Sequence, residues 1–216
     1  MTQYFIGLAA PRCGSTWLWR QLRDHPQVGA PTPKELGWYD RPNKHSLTGD
    51  GHYKRLIDAQ RGRAKGEFTP GYVLCAPEAY QHMAELLPDV VFFGVFRHPV
   101  ERTLSHCRFL ARNFDDPVDW DDALTERVLC RSRYVDFKRR LEASGLAYRM
   151  LWLKTERMFA DPAKELAPLW DHIGVDAGKT HPETSVNRTK PEEAPDWLVE
   201  RLTDELADDI ALWESL

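Results

Sequence analysis

A short stretch near the start of the chain, GLAAPRCGST (Gly7–Thr16), gathers a cation, a glycine and two hydroxyls. In a tight strand-to-helix turn, backbone N–H groups point inward at an anion, and the helix N-terminus adds roughly half a positive charge. Gly14 lets the backbone approach a ligand, Ser15 and Thr16 offer hydroxyl donors, and Arg12 offers a fixed cation. The phosphate loop of a nucleotide hydrolase carries a Lys directly after its second Gly and a Ser/Thr for magnesium. Ser15 stands where that Lys would be. The acidic residue that such enzymes place after a second apolar strand is also missing, because VVFFGVF (Val90–Phe96) runs into Arg97. These departures count against an ATPase or a magnesium-dependent kinase or phosphotransferase. Taken alone, the stretch also reads as a glycine-containing turn that caps a helix. The second cluster tips the balance: Arg97 stands at a strand tip and Ser105 lies two turns into the next helix. Donors at two strand ends suit a ligand with two phosphate groups.

The elements around these residues follow from pattern. Gln3–Ala9 and Val90–Phe96 are apolar runs of the kind found in central parallel strands, and MLWLKTE (Met150–Glu156) is a third. Ser15 or Thr16 can cap a helix reaching about His25, and Pro99 suits a helix N-terminus. Helices are expected over Pro77–Leu87, Trp120–Ser144, Pro162–Ile173 and Pro195–Ser215, the last amphipathic. Pro26–Gly71 is polar, punctuated by Pro and Gly, and shows little periodicity. Alternating strands and helices give an α/β fold with a mainly parallel sheet, whose ligands bind at the C-terminal ends of the strands. Both anion motifs lie at such ends.

The 216 residues fit a single domain, 1–216, with a core that needs no staples. A net charge of -4 argues against broad nucleic-acid binding, although a local basic pocket can sit in an acidic protein. Cys13, Cys75, Cys107 and Cys130 form no CxxC pair and have no His at zinc spacing, so a disulfide framework or structural metal is not expected and a reducing cytoplasm is. No apolar run approaches the ~20 residues of a membrane span.

PRCGSTWL (Pro11–Leu18) resembles the 5′-phosphosulfate loop of sulfotransferases that use 3′-phosphoadenosine 5′-phosphosulfate (PAPS). FRHPVERTLSHCRF (Phe96–Phe109) resembles their 3′-phosphate motif, in which an Arg and a downstream Ser grip the 3′-phosphate. PKELGWYD (Pro33–Asp40) and GEFTPGYV (Gly66–Val73) are similar to segments of the heparan-sulfate-type enzymes, and Leu153–Val175 to the family's later strand and helix. The motifs occur in the family's order and span most of Tyr4–Val175. Some positions depart from it. The loop Lys of many relatives is Arg12, as in the tyrosylprotein-type branch, Cys13 replaces a small hydroxyl or Lys, and GWY stands for HFF. The His-containing segment that supplies the base in cytosolic aryl-type enzymes is not evident.

The resemblance implies a three-layer α/β/α, P-loop-like fold and sulfuryl transfer from PAPS to an acceptor hydroxyl, releasing adenosine 3′,5′-bisphosphate (PAP). No metal is required if the loop's own donors neutralise the leaving phosphate. The expected nucleotide contacts are Arg12, Cys13, Gly14, Ser15, Thr16, Trp17, Arg97, Ser105, Tyr134 and Arg188, with Ser132 also near the adenosine. Arg188 and Lys190 lie in VNRTKP (Val186–Pro191), a basic loop that closes over the nucleotide or a solvated linker. Glu35 is the expected general base, Arg12 faces the leaving phosphate, and Lys34 stabilises the transferring sulfuryl group or orients the acceptor. His45, His52 and His82 are rival bases, and an exposed charged pair is the plainer account of Lys34–Glu35. Trp38, Tyr39, Thr69 and Tyr72 are expected on the acceptor side, or in the core. The acceptor is a small molecule or a glycan, with lipid and peptide tyrosine also open, and the brevity of the chain suits a minimal, bacterial-type enzyme. A module that binds PAP without catalysis is the remaining alternative. Oligomeric state is left open.

Overall fold

The computed structural model describes residues 2–40, 49–114, 117–178 and 192–216. Five parallel strands form one sheet in the order β2-β3-β1-β4-β5: β1 (Gln3–Ala9), β2 (Val28–Gly29), β3 (Ala64–Phe68), β4 (Val91–Phe96) and β5 (Met150–Lys154). In register, β1 sets Gly7 opposite Phe68 on one side and Phe93 on the other. A Cβ on Gly7 would come within 2.7 Å of the Phe93 ring and 2.8 Å of the Phe68 ring. The bare backbone there lets the two rings meet edge to face, 5.6 Å apart.

The helices are α1 (Ser15–Arg23), α2 (Asp50–Asp58), α3 (Pro77–Leu86), α4 (Pro99–Phe114), α5 (Glu126–Leu129), α6 (Tyr134–Ala143), α7 (Thr155–Ala160), α8 (Pro162–His172), α9 (Asp196–Glu205) and α10 (Ala207–Ser215). Ring contacts sort several of them. Tyr80 of α3 meets Phe92 and Phe137, and Phe96 meets Tyr134 and Phe137 of α6. The Phe92/Phe96 face of the sheet is therefore covered by α3 and α6. Trp17 with Phe159, and His25 with Trp170, tie α1 to α7 and α8. These helices take the face of Phe5, Phe68 and Phe93. The segment leaving β1 thus goes to one face, and the segments leaving its neighbours β3 and β4 go to the other. Such a reversal opens a crevice at the C-terminal strand ends. A second apolar cluster joins Val100, Leu104 and Cys107 of α4 to Leu198, Leu202 and Leu206.

The first strand matches its predicted bounds, and the helices at Pro77, Pro99 and Pro162 begin at those prolines. Other segments differ. The cap of α1 is Gly14, in the left-handed region at φ 83°, with no side-chain hydrogen bond, so Ser15 and Thr16 belong to the helix. The Pro26–Gly71 region holds β2, α2 and β3, all short or atypical in pattern. Trp120–Ser144 is not one helix: a 3₁₀ turn (Asp121–Leu124), α5 and α6 divide it. The buried Arg102 guanidinium takes the Val128 carbonyl at 2.7 Å, and this draws it from the helical ladder. The final helix breaks at Leu206, which stays in the second cluster while Asp209 turns to accept the Val135 N–H at 2.8 Å. The third strand ends at Lys154, and Thr155 opens α7. No helix among the described residues is long and apolar enough to cross a membrane.

Candidate active site

The loop after β1 alternates left-handed residues: Arg12 at φ 77° and Gly14 at φ 83°. Alternation of this kind curls successive N–H groups into a concave anion nest, and the first-turn N–H groups of α1 extend it. Gly14 is doubly required. Besides its φ, a Cβ would lie 2.9 Å from Met158 and 3.1 Å from Phe159. Arg12 reaches across the mouth of the crevice, donating from Nε to Ser105 Oγ at 3.2 Å with its guanidinium 4.7 Å from the Phe109 ring centroid. Burial lowers its pKa, and the neighbouring Arg97 and Arg112 lower it further. Guanidinium keeps its proton regardless, so the shift marks burial first and the nearby positive charge second.

Arg97 follows β4 and pairs with Glu101 at 3.2 Å, one turn into α4. Ser105, buried, faces the loop from the same helix. The two anion motifs, 93 positions apart at Arg12 and Ser105, are therefore joined by a direct hydrogen bond. On the other side of β1, Lys34 Nζ donates to Ser15 Oγ at 3.0 Å and lies 4.9 Å from the Phe68 ring centroid. Burial lowers the Lys34 pKa, partly offset by Glu35 at 3.4 Å. The pair is unequal: the Lys34 side chain is 16% exposed and that of Glu35 47%. Lys34 belongs to the site, and Glu35 presents its carboxylate to solvent at the edge.

Cys13 is buried beneath the loop, 3.9 Å from the Tyr134 hydroxyl, and burial pushes its thiol up to about 11. It packs as a protonated thiol, not a nucleophile. Its carbonyl accepts from Thr155 Oγ1 at 2.9 Å. Trp17 is also buried, and its indole N–H has no partner among the described residues. Thr16 is half-buried in the first turn of α1. Tyr134 donates to the Arg97 carbonyl at 2.8 Å, from beneath the second motif. Ser132 is buried on Arg102 and Thr103. Thr69 and Tyr72 are buried too, both donating their hydroxyls to Glu67. Trp38 is buried against Tyr53, and Tyr39 is half-buried, its hydroxyl 3.4 Å from His82. His82 pairs with Asp50 at 3.1 Å, and the His52 ring lies 6.0 Å from that of Trp38. Arg188, Lys190 and His45 lie outside the described residues.

Three residues of consequence escape the sequence reading. Arg102 is fully buried and bonds Ser132, Thr103 and the Val128 carbonyl without a carboxylate in the set. His106, next to Ser105, has its pKa lowered to about 3 by burial and then by Arg102, Arg131, Arg12 and Arg127. Glu67, fully buried in β3, is the third. Its signal was a lone carboxylate inside an otherwise strand-like run.

No protein-family model matches the chain. A membrane-associated sulfotransferase of Dictyostelium discoideum is 26% identical over 121 residues, 54% of this chain and 26% of that protein. The chain thus spans about a quarter of the length of the curated relative it matches. Among solved structures, a sulfotransferase from Alicyclobacillus acidocaldarius superposes with a TM-score of 0.77 at 23% identity, covering 100% of this chain and 95% of that one. The sulfotransferase domain of a Synechococcus olefin synthase gives 0.59 at 19% identity, covering 95% and 94%. A mouse sulfotransferase complexed with PAP gives 0.52 at 16% identity, covering 97% and 64%. The chain therefore has the α/β fold of solved sulfotransferase structures.

Proposed function

We propose that the protein transfers a sulfuryl group from PAPS to an acceptor hydroxyl and releases PAP. The observation that supports this reading is the Arg12–Ser105 hydrogen bond, which joins two motifs distant in sequence. The nest around Gly14, Ser15, Thr16 and Arg12 takes the 5′-phosphosulfate, and Arg97 and Ser105 take the 3′-phosphate. In the reaction, the acceptor oxygen bonds to sulfur as the bond from sulfur to the phosphate oxygen breaks. The leaving phosphate gains charge, which Arg12, Lys34 and the loop N–H groups are preorganised to stabilise. Glu35 receives the acceptor's proton, its exposed position at the edge suiting a group that meets an incoming hydroxyl. Buried Cys13, Trp17 and Tyr134 serve the nucleotide from below the loop, and Arg188, outside the described residues, is assigned to it by the family resemblance alone. The acceptor, a small molecule or a glycan, approaches along the side of Trp38, Tyr39, Thr69 and Tyr72, with the last two acting through the backbone they hold. Lys34–Glu35 ahead of an aromatic pair favours the heparan-type branch, and Arg12 the tyrosylprotein-type branch.

A thermal-shift panel with PAP, ATP plus magnesium and no nucleotide tests the donor. PAP should stabilise the protein; stabilisation by ATP with magnesium and none by PAP would overturn the reading. Mass spectrometry of an acceptor library incubated with PAPS then finds the product. Glu35→Ala should lose at least about 100-fold in turnover, the usual scale of acid–base catalysis, while its PAP affinity stays unchanged. Turnover at the wild-type rate would remove Glu35 from the role.

A further inference from the structure

Three consecutive backbone amides follow Glu35, and each is held by a side chain from the segment at the end of β3. Leu36 N–H donates to Glu67 Oε2 at 3.1 Å, Gly37 N–H to Thr69 Oγ1 at 3.2 Å and Trp38 N–H to Tyr72 Oη at 2.8 Å. The two hydroxyls are themselves fixed by the same carboxylate: Thr69 donates to Glu67 Oε2 at 2.6 Å and Tyr72 to Glu67 Oε1 at 2.7 Å. Tyr53 of α2 completes the set, donating to Oε1 at 2.8 Å. Glu67 is fully buried, as are Tyr53 and Tyr72. A buried carboxylate is costly unless every lone pair is used, and here four donors converge on it. A hydroxyl that must donate to the carboxylate can only accept from the amide, so the charge on Glu67 sets the polarity of the whole array.

We propose that Glu67 is the positioning residue for Lys34 and Glu35: through Thr69 and Tyr72 it clamps the 36–38 backbone and so fixes where the preceding pair stands beside Ser15. Its consequence for turnover rests on the sulfuryl-transfer reading above; its consequence for the backbone does not. The pair precedes the clamp directly, so loosening the clamp releases the Lys34 amine from Ser15 Oγ and lets Glu35 drift. Displacement by about 1 Å is enough to cost on the order of 100-fold in rate.

The test compares wild type with Glu67→Gln, Thr69→Val and Thr69→Ser. Two readouts need no activity: hydrogen exchange at the amides of 36–38, and the acylation rate of Lys34 by an amine-reactive ester, read by mass spectrometry against exposed Lys138. Glu67→Gln should speed exchange at all three amides by about 10-fold or more, the equivalent of one lost hydrogen bond. Thr69→Val should do so at Gly37. Both should raise Lys34 acylation relative to Lys138, and Thr69→Ser, which keeps the hydroxyl, should restore the wild-type pattern. With PAPS and an acceptor that turns over, kcat should fall with KM for PAPS unchanged. If Glu67→Gln does not fold, the two Thr69 variants decide alone. Faster exchange spread evenly over β1 and β3, Lys34 acylation at the wild-type rate, or unchanged kcat in an active enzyme would each overturn the proposal. A wild type that neither binds PAP nor consumes PAPS would defeat the donor reading, leaving exchange and acylation to judge Glu67.

Discussion

Arg12 holds a left-handed backbone conformation that costs a non-glycine residue on the order of 1 kcal/mol. Its side chain meanwhile links the loop to α4, donating to Ser105 and lying over the Phe109 ring. Arg12→Gly should therefore separate stability from binding. Relief of backbone strain offsets the lost contacts, and chemical denaturation should show a change below about 1 kcal/mol. Titration with PAP should show affinity down by at least about 10-fold, the scale of one charge-assisted hydrogen bond. His106 supplies a second test. Its folded pKa of about 3 lies below the ordinary 6.5. The unfolded chain therefore takes up a proton as pH falls from 6.5 toward 3 and the folded chain does not. The stability due to this group is complete above 6.5 and drains away across that window, at a slope of up to about 1.4 kcal/mol per pH unit. His106→Asn should flatten the acid side of the stability curve. Bound PAP, by countering Arg102, Arg131 and Arg12, should raise the His106 pKa in an NMR titration. Both motifs were legible as clusters of donor residues at strand ends, and the structure brings them together at Arg12 and Ser105. Glu67 and Arg102 were not, because a charged residue in sequence looks like a surface residue until its partners, 14 and 30 positions away, are brought to it.

At the scale of elements, β1 is the piece on which the site depends. It lies in the middle of the sheet, and Arg12 after it meets Ser105 of the helix that follows β4, while Ser15 meets Lys34 of the segment that follows β2. Gly7→Ala would drive a methyl into Phe68 and Phe93. Overpacking of this kind costs about 1–3 kcal/mol. Because the Phe68 ring lies under Lys34, the same variant should weaken PAP stabilisation measured by thermal shift. Strands of continuous apolar residues and helices opened by proline were readable from pattern, since burial on both faces and a fixed φ leave direct marks. The region between Pro26 and Gly71 was not. A two-residue strand carries no period, and β3 has Lys65 and Glu67 where apolar residues would be expected. The breaks at Ser132 and Leu206 escaped for the same reason: helical propensity is continuous there, and long-range partners decide the fold.

For the whole molecule, a net charge of -4 coexists with a site where Arg97 and Arg112 stand close enough to Arg12 to lower its pKa. On the sulfuryl-transfer proposal, acidity elsewhere would disfavour nucleic acid while these arginines draw a small polyanion. PAP at 100 times its dissociation constant should stabilise the fold by about 2.7 kcal/mol. At a fixed PAP concentration that gain should shrink as salt rises toward 1 M, where the screening length falls to about 3 Å. Salt-independent stabilisation would mean that the arginines are not the holders. One contact beneath the site bears on which anions can enter. Tyr134 ties the Arg97 carbonyl to Cys13, and Thr155 ties the Cys13 carbonyl to the first residue of α7, directly after β5. The two loops thus share one floor. On the sulfuryl-transfer proposal, that floor would set the spacing of the two donor clusters and so sort nucleotides by the distance between their phosphates before any base is read.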